Sequence, residues 1–151
     1  MPKPKPSRYR SDVAERRALS TYLKLTRASD RLWDCLALGL LRDELTPSQF
    51  GVLEALYHLG PMCQRDLGER ILRSSGNMSM VVGNLERRGL VRRERAAGDG
   101  RLREVHLTAA GERLIRRAFP PHAAAITQAL AVLTPEEQRT LATLCRKLGA
   151  A

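Results

Sequence analysis

The stretch that most constrains this chain runs from residue 74 to 107, SSGNMSMVVGNLERRGLVRRERAAGDGRLREVHL. Met78, Val81, Val82 and Leu85 fall at the i, i+3, i+4, i+7 spacing of a helix with one buried face. The opposite face carries Asn77, Met80, Asn84 and Arg87, with Gly83 beside them. Gly89 is the residue that most readily turns left-handed and stops a helix. Beyond it, LVRRER and LREVHL are short β-prone runs around Ala-Ala-Gly-Asp-Gly. A helix followed by a charged, glycine-tipped hairpin predicts a recognition helix with its wing. The bland alternative is an amphipathic helix and hairpin with a solvated basic face.

Charge favours the first reading. The 151 residues carry a formal net charge of +10, with a sequence pI near 10.5. Residues 1–17 hold six basic and two acidic groups, and residues 61–107 hold ten basic and six acidic ones. The segment from 108 onward holds six basic and three acidic groups, whereas residues 18–60 lean slightly acidic. An excess on the N-terminus and the proposed binding unit points to a polyanion such as double-stranded DNA. No apolar run of membrane-spanning length and no signal-peptide core occurs, so the expected setting is cytoplasmic, with no membrane partner. The cysteines at 35, 63 and 145 have no CxxC spacing, which argues against a disulfide framework or a zinc site.

Taken in order, residues 1–10, MPKPKPSRYR, are expected to form a disordered basic arm. Ser11 or Asp12 caps a first helix, with Glu15 in capping-box position after Asp12. Leu19, Tyr22, Leu23, Leu32, Trp33, Leu36 and Leu40 stripe that helix to about residue 42. Its length exceeds what a small winged domain covers, which assigns part of its face to another chain. Thr46-Pro47 starts a second helix lined by Phe50, Leu53, Leu56 and Tyr57 and ended by Gly60-Pro61. A third, about 64 to 71, buries Leu67 and Ile71, and Ser74 or Ser75 caps the recognition helix. Thr108 caps a fifth helix, in which Pro120-Pro121 is expected to kink or break the run through Leu114, Ile115, Phe119, Ala123, Ile126 and Leu130. Thr134-Pro135-Glu136-Glu137 opens the last helix, with Leu141, Leu144 and Leu148. Cys35 and Cys145 are expected in the core.

Catalysis finds no support. His58, His106 and His122 are far apart, and no nucleophile elbow, P-loop or HExxH is present. No cofactor and no metal site is expected. For DNA, the N-terminal half of a helix in the major groove reaches base edges, which singles out Ser75, Asn77 and Ser79, with Met80 facing a thymine methyl. Gln64, Arg73 and Arg87 are candidate phosphate contacts. Arg92, Arg93, Arg95 and Arg103 straddle the hairpin, and alternate ones should face phosphates.

Three spaced segments carry a resemblance. DGRLREVHLTAAG (99–111) resembles the Asp-x-Arg-x-x-x-Val-x-Leu-Thr-x-x-Gly pattern of the multiple-antibiotic-resistance regulator (MarR) family. LERRGLV (85–91) is similar to the segment that precedes that pattern in the family. LTPSQFGVLEAL (45–56) is similar to the segment entering its helix-turn-helix. The resemblance spans roughly residues 18 to 148. It implies a mainly α fold with a small β-hairpin wing, a winged helix-turn-helix plus a helical dimerisation region. The corresponding division is a basic arm at 1–10, a dimerising helix at 11–44, the DNA-binding region at 45–108 and dimerising helices at 109–151.

By the same resemblance Arg101 is the wing arginine that enters the minor groove, with Asp99 orienting its guanidinium. Met80 departs from the family, which often has arginine there. The resemblance also implies a small-molecule effector pocket near the first, second and fifth helices, for which Tyr22, Arg27, Trp33, Tyr57 and His58 are the candidates. Cys63 stands where the family usually has a Ser or Thr cap. The positive end of a helix favours an anion, so Cys63 is the redox candidate. The function expected is a homodimeric repressor on a near-palindromic operator. An architectural DNA binder, a protein-docking winged helix and a thiol sensor using Cys63 are the alternatives.

Overall fold

The helices of the computed structural model begin where the sequence places caps. The structure describes residues 12–71, 78–96 and 99–150, so the expected basic arm and the Ser74 or Ser75 cap lie outside the described residues. The order is α1 (Val13–Leu40), a 3-10 turn (Leu41–Asp43), α2 (Pro47–Leu59), β1 (Met62–Cys63), α3 (Gln64–Arg70), α4 (Met78–Arg87), β2 (Val91–Ala96), β3 (Asp99–Leu107), α5 (Ala109–Leu130) and α6 (Pro135–Gly149). The chain divides into two compact units, one ending at Cys35 and one beginning at Leu36.

Capping follows local chemistry. The Asp12 carboxylate accepts from the Glu15 amide at 2.7 Å, and Glu15 accepts from the Asp12 amide at 3.0 Å. Thr46 with Gln49 and Thr134 with Glu137 make the same reciprocal box, each followed by proline at the first helical position. Thr108 caps α5 by accepting from the Gly111 amide at 3.1 Å. Cys63 is the N-cap of α3 and makes no side-chain cap bond, as expected of a thiol.

The core is assembled from faces of α2, α3, α4, α5 and the sheet in the second unit. Phe50, Val52, Leu53 and Leu56 of α2 meet Leu67, Val82 and Leu85 of α3 and α4. Val91 and Val105 of the sheet join them, with Leu114, Ile115 and Ala118 of α5. The face read from periodicity in α4 is the buried one: Val82 and Leu85 are fully enclosed, and Met78 and Val81 pack partly against them. Each enclosed aliphatic side chain contributes about 1.5–3 kcal/mol of burial. Gly111 marks a close approach of α5 to the backbone that follows α4. A Cβ there would lie 2.0 Å from the Leu90 carbonyl oxygen, so only glycine lets α5 start against the end of α4.

Two helix ends share one construction. After α4, Gly89 takes φ +68°, and the Leu90 and Gly89 amides donate to Leu85 and Glu86 at 2.9 Å. After α1, the Leu45 and Glu44 amides donate to Leu40 and Leu41 at 3.1 Å, but the left-handed residue is Glu44, at φ +53°. Both are Schellman closures, and the second places a side chain where glycine is preferred, at a cost of about 1 kcal/mol.

The structure corrects four expectations. The hairpin has a third strand: β1 pairs with β3, giving the order β1-β3-β2, all antiparallel. Two residues leave no periodic signal, so this strand exists only through its partner. Pro120 and Pro121 do not break α5, which runs unbroken from Ala109 to Leu130. Both prolines are exposed, so the carbonyls that lose an amide partner remain open to water. The first helix stops at Leu40, short of residue 42, where the 3-10 turn takes over. Cys35 and Cys145 are exposed rather than core. Cys145 lies on α6, which buries no residue within the described chain, and Cys35 sits on a solvent-facing side of α1.

Candidate nucleic-acid interface

Burying Val82 and Leu85 turns the other side of α4 outward. Met80 is 59% exposed there, Ser79 is exposed, and Arg87 donates to the Asn84 side chain within the same face. An added Cβ at Gly83 would meet nothing within 4 Å, so the helix presents a shallow surface. Arg73, Ser75 and Asn77 lie outside the described residues.

The register of the sheet sorts the wing arginines. Arg92 pairs with His106 and Glu94 with Glu104, while Arg93 pairs with Val105 and Arg95 with Arg103. Residues directly opposite in an antiparallel pair share a face. The first set forms a mixed-charge face. Arg92 bonds to Glu94 and also donates to the Leu107 carbonyl at 3.1 Å. His106 Nε2 lies 3.4 Å from Glu104 and 3.7 Å from Glu94. The Arg92 guanidinium, first through its hydrogen bond, holds the Glu94 carboxyl below the usual carboxylate range.

The second face is continuous with the buried Val91 and Val105, and it differs in kind. Arg93 is half-buried, and its guanidinium reaches Glu86 of α4 at 2.5 Å, the Ser79 carbonyl at 3.3 Å and the Gln64 side chain at 3.5 Å. Its amide donates to the other Glu86 oxygen at 3.2 Å. Arg93 therefore fastens the wing to α4 and to the start of α3, and it occupies Gln64. Further out on that face Arg95 and Arg103 stand opposite one another, both exposed. Neither has a carboxylate partner among the described residues. Two like charges at adjacent cross-strand positions repel. Asp99 and Arg101 lie on β3, and their side chains fall outside the described residues.

The residues proposed for an effector fall on two helices, α1 and α2. Tyr22, Arg27 and Trp33 are exposed on the part of α1 that belongs to the first unit. Tyr57 and His58 lie on α2 with ring centroids 5.0 Å apart, and His58 is edge-on to Phe119 at 4.7 Å. A cavity of about 300 Å³ opens elsewhere in the second unit, between the end of α1 with its turn and the middle of α5. Leu36, Leu40, Ala118 and Ala125 give it apolar walls, and Arg42, Asp43 and His122 supply the polar groups. His122 packs its ring 4.2 Å from that of Phe50. Burial lowers its pKa, against a weaker upward pull from Glu54. The sequence reading missed Asp43 and Arg42, because only the fold brings that turn to α5. Cys63 is half-buried at the β1–α3 junction. Among the described residues no helix is long and apolar enough to cross a membrane.

Comparison with known proteins fits this geometry. Residues 43–102, which run from the turn before α2 into the second wing strand, match the MarR family. The chain is 35% identical to the uncharacterized HTH-type transcriptional regulator YkoM of Bacillus subtilis (strain 168), over 88% of this chain and 86% of that protein. It superposes on Sco3205, a MarR family transcriptional regulator from Streptomyces coelicolor crystallised in complex with DNA, with a TM-score of 0.79 at 29% identity. That match covers 95% of this chain and 91% of the other. The PcaV transcriptional regulator of the same organism, in complex with its natural ligand, superposes with a TM-score of 0.71 at 31% identity. There the coverage is 95% of this chain and 98% of PcaV.

Proposed function

The chain belongs to the MarR family, and from that premise we propose that it is a homodimeric, ligand-responsive repressor whose recognition helix reads a palindromic operator. Its relatives are transcription regulators, and it is a DNA-binding regulator of that kind rather than an enzyme. The observation that carries the finer reading is the Arg95–Arg103 pair, two exposed guanidinia on the face of the wing that Arg93 fastens to α4. A phosphate between them relieves their repulsion and sets the register of α4 in the major groove. Ser79 and Met80 then lie toward base edges, together with Asn77 and Ser75, while Arg101 extends the wing toward the minor groove.

Dimerisation is supported by α6, whose Leu141, Leu144 and Leu148 stay 40%, 58% and 64% exposed at helical spacing. A stripe of that kind is a face awaiting a partner. Effector binding is supported by the cavity beside Asp43 and by the ligand-bound PcaV.

The test is selection of preferred duplexes from a random pool, followed by footprinting. One protected inverted repeat per dimer is expected, and uniform coating of any duplex overturns the reading. Within that assay Arg103→Ala should weaken binding to operator and scrambled DNA together, with a salt slope shallower by about one per subunit. Asn77→Ala should cost about 1–3 kcal/mol on the operator and leave scrambled DNA nearly untouched. Identical behaviour of the two variants refutes the division between phosphate and base contacts.

A further inference from the structure

We propose that Arg88 is a positioning residue that joins the cavity beside Asp43 to the recognition helix, so that filling the cavity changes how α4 meets DNA. The proposal rests on the protein being an effector-responsive DNA-binding regulator, and it assigns the connection between the two sites.

Arg88 closes the last turn of α4, where its amide donates to the Asn84 carbonyl at 3.2 Å. Its side chain is not part of the DNA-facing surface described above. Instead its guanidinium spans to the turn after α1 and donates to the Glu44 carbonyl at 2.7 Å and the Asp43 carbonyl at 3.4 Å. Carbonyls at the end of a helix lack amide partners and carry the negative end of its dipole, so a cation capping them is favoured twice. The contact bridges 44 residues of sequence and docks one Schellman turn on the other.

The turn that Arg88 holds is also a wall of the cavity. Arg42 and Asp43 line it, and the Asp43 side chain, only 6% exposed, accepts from Arg117 of α5 at 3.1 and 3.3 Å. Asp43 is thus bound to α5 through its carboxylate and to α4 through its carbonyl, and it faces the cavity between them. The next residue, Glu44, is the one non-glycine residue with positive φ among the described residues, a conformation adopted at a cost. An occupant that pushes on the turn, or draws Asp43 from Arg117, moves the two carbonyls that fix Arg88. The other end of the docking is the Glu86–Arg93 pair at the wing. A shift on the Arg88 side with the wing side held re-angles α4, and it acts on base contacts more than on the phosphates gripped by the wing.

A side chain can stand in for the effector. Ala125 is half-buried in the cavity wall, so Ala125→Phe places a ring inside. Gly39→Phe enters from the opposite wall, where an added Cβ meets no atom within 4 Å. Operator and scrambled duplex affinities are measured by fluorescence anisotropy for the wild type, Ala125→Phe, Arg88→Ala and the double variant, with Gly39→Phe as the second occupant. Circular dichroism melts verify that each is folded. Ala125→Phe is expected to weaken operator binding about tenfold when Arg88 is present and no more than about twofold when it is alanine, with scrambled-duplex binding unchanged throughout. Equal fold-changes in both backgrounds overturn the proposal, as does a folded Ala125→Phe and Gly39→Phe pair with wild-type operator binding. A wild type that prefers no duplex over the scrambled one overturns the regulator reading and this proposal with it. A preference accompanied by additive variants overturns the proposal alone.

Discussion

Helices α4 and α6 are both short and amphipathic, yet their apolar stripes meet opposite fates. Val82 and Leu85 of α4 are fully enclosed, whereas Leu144 and Leu148 of α6 are 58% and 64% exposed. The difference lies outside the helices. α4 lies against α2, α3 and the first wing strand, so its stripe is enclosed in the core. α6 begins with a full capping box and then finds nothing of the described chain to cover it. Helical periodicity states that a face requires cover, and the rest of the fold decides whether the cover is internal.

The sharpest way to break that contrast is a pair of truncations. Leu85→Ala removes a fully enclosed side chain and should destabilise the protein by about 2–5 kcal/mol, at every protein concentration. Leu144→Ala should leave concentration-independent unfolding almost unchanged. It should instead raise the concentration at which the protein sediments as a dimer. Urea unfolding at two protein concentrations checks both, and a Leu144→Ala loss matching that of Leu85→Ala would erase the contrast.

Helix starts offer a second, smaller comparison. Thr134→Ala deletes a working capping box and should cost about 1 kcal/mol, while Cys63→Ser supplies α3 with the hydroxyl it lacks and should gain up to about that amount. Thermal midpoints moving in opposite directions are expected. A loss on Cys63→Ser would mean that the thiol packs better than a hydroxyl caps.

The smallest effect concerns His122. Burial holds its folded pKa below the ordinary 6.5, so the unfolded chain binds the proton more readily. Its contribution is complete above about pH 6.5 and declines as pH falls from there through the folded value. Between pH 7 and 5, His122→Gln should therefore lose less stability than the wild type. Equal losses would show that this imidazole does not titrate differently in the two states.

Much of this was legible in the chain. Every cap named from sequence that lies in the described residues, Asp12, Thr46, Thr108 and Thr134, makes its bond, and the buried face of α4 is the one its spacing gives. The two-residue β1 was not legible, nor was the outward placement of Cys35 and Cys145. Nor was the cavity wall legible: Arg42 and Asp43 are neighbours in sequence, and only the fold brings them to His122, about 80 residues further along the chain.

The wing arginines mark the boundary between the two kinds of knowledge. By itself the sequence determined the helix starts and the apolar faces, because a cap bond spans three residues and a helical face recurs every three or four. It also determined that a basic hairpin follows a recognition helix. It placed alternate ones of Arg92, Arg93, Arg95 and Arg103 on the phosphate side without giving any of them a protein partner. Only the tertiary structure decided that Arg92 is neutralised beside Glu94, that Arg93 is committed to Glu86, and that Arg95 and Arg103 face each other unpaired among the described residues. Arg88 is the same case at longer range, a cation whose acceptors lie 44 and 45 residues away. Strand register and helix docking bring distant groups within hydrogen-bond reach, and a charge in sequence carries no record of which partner the packing will deliver.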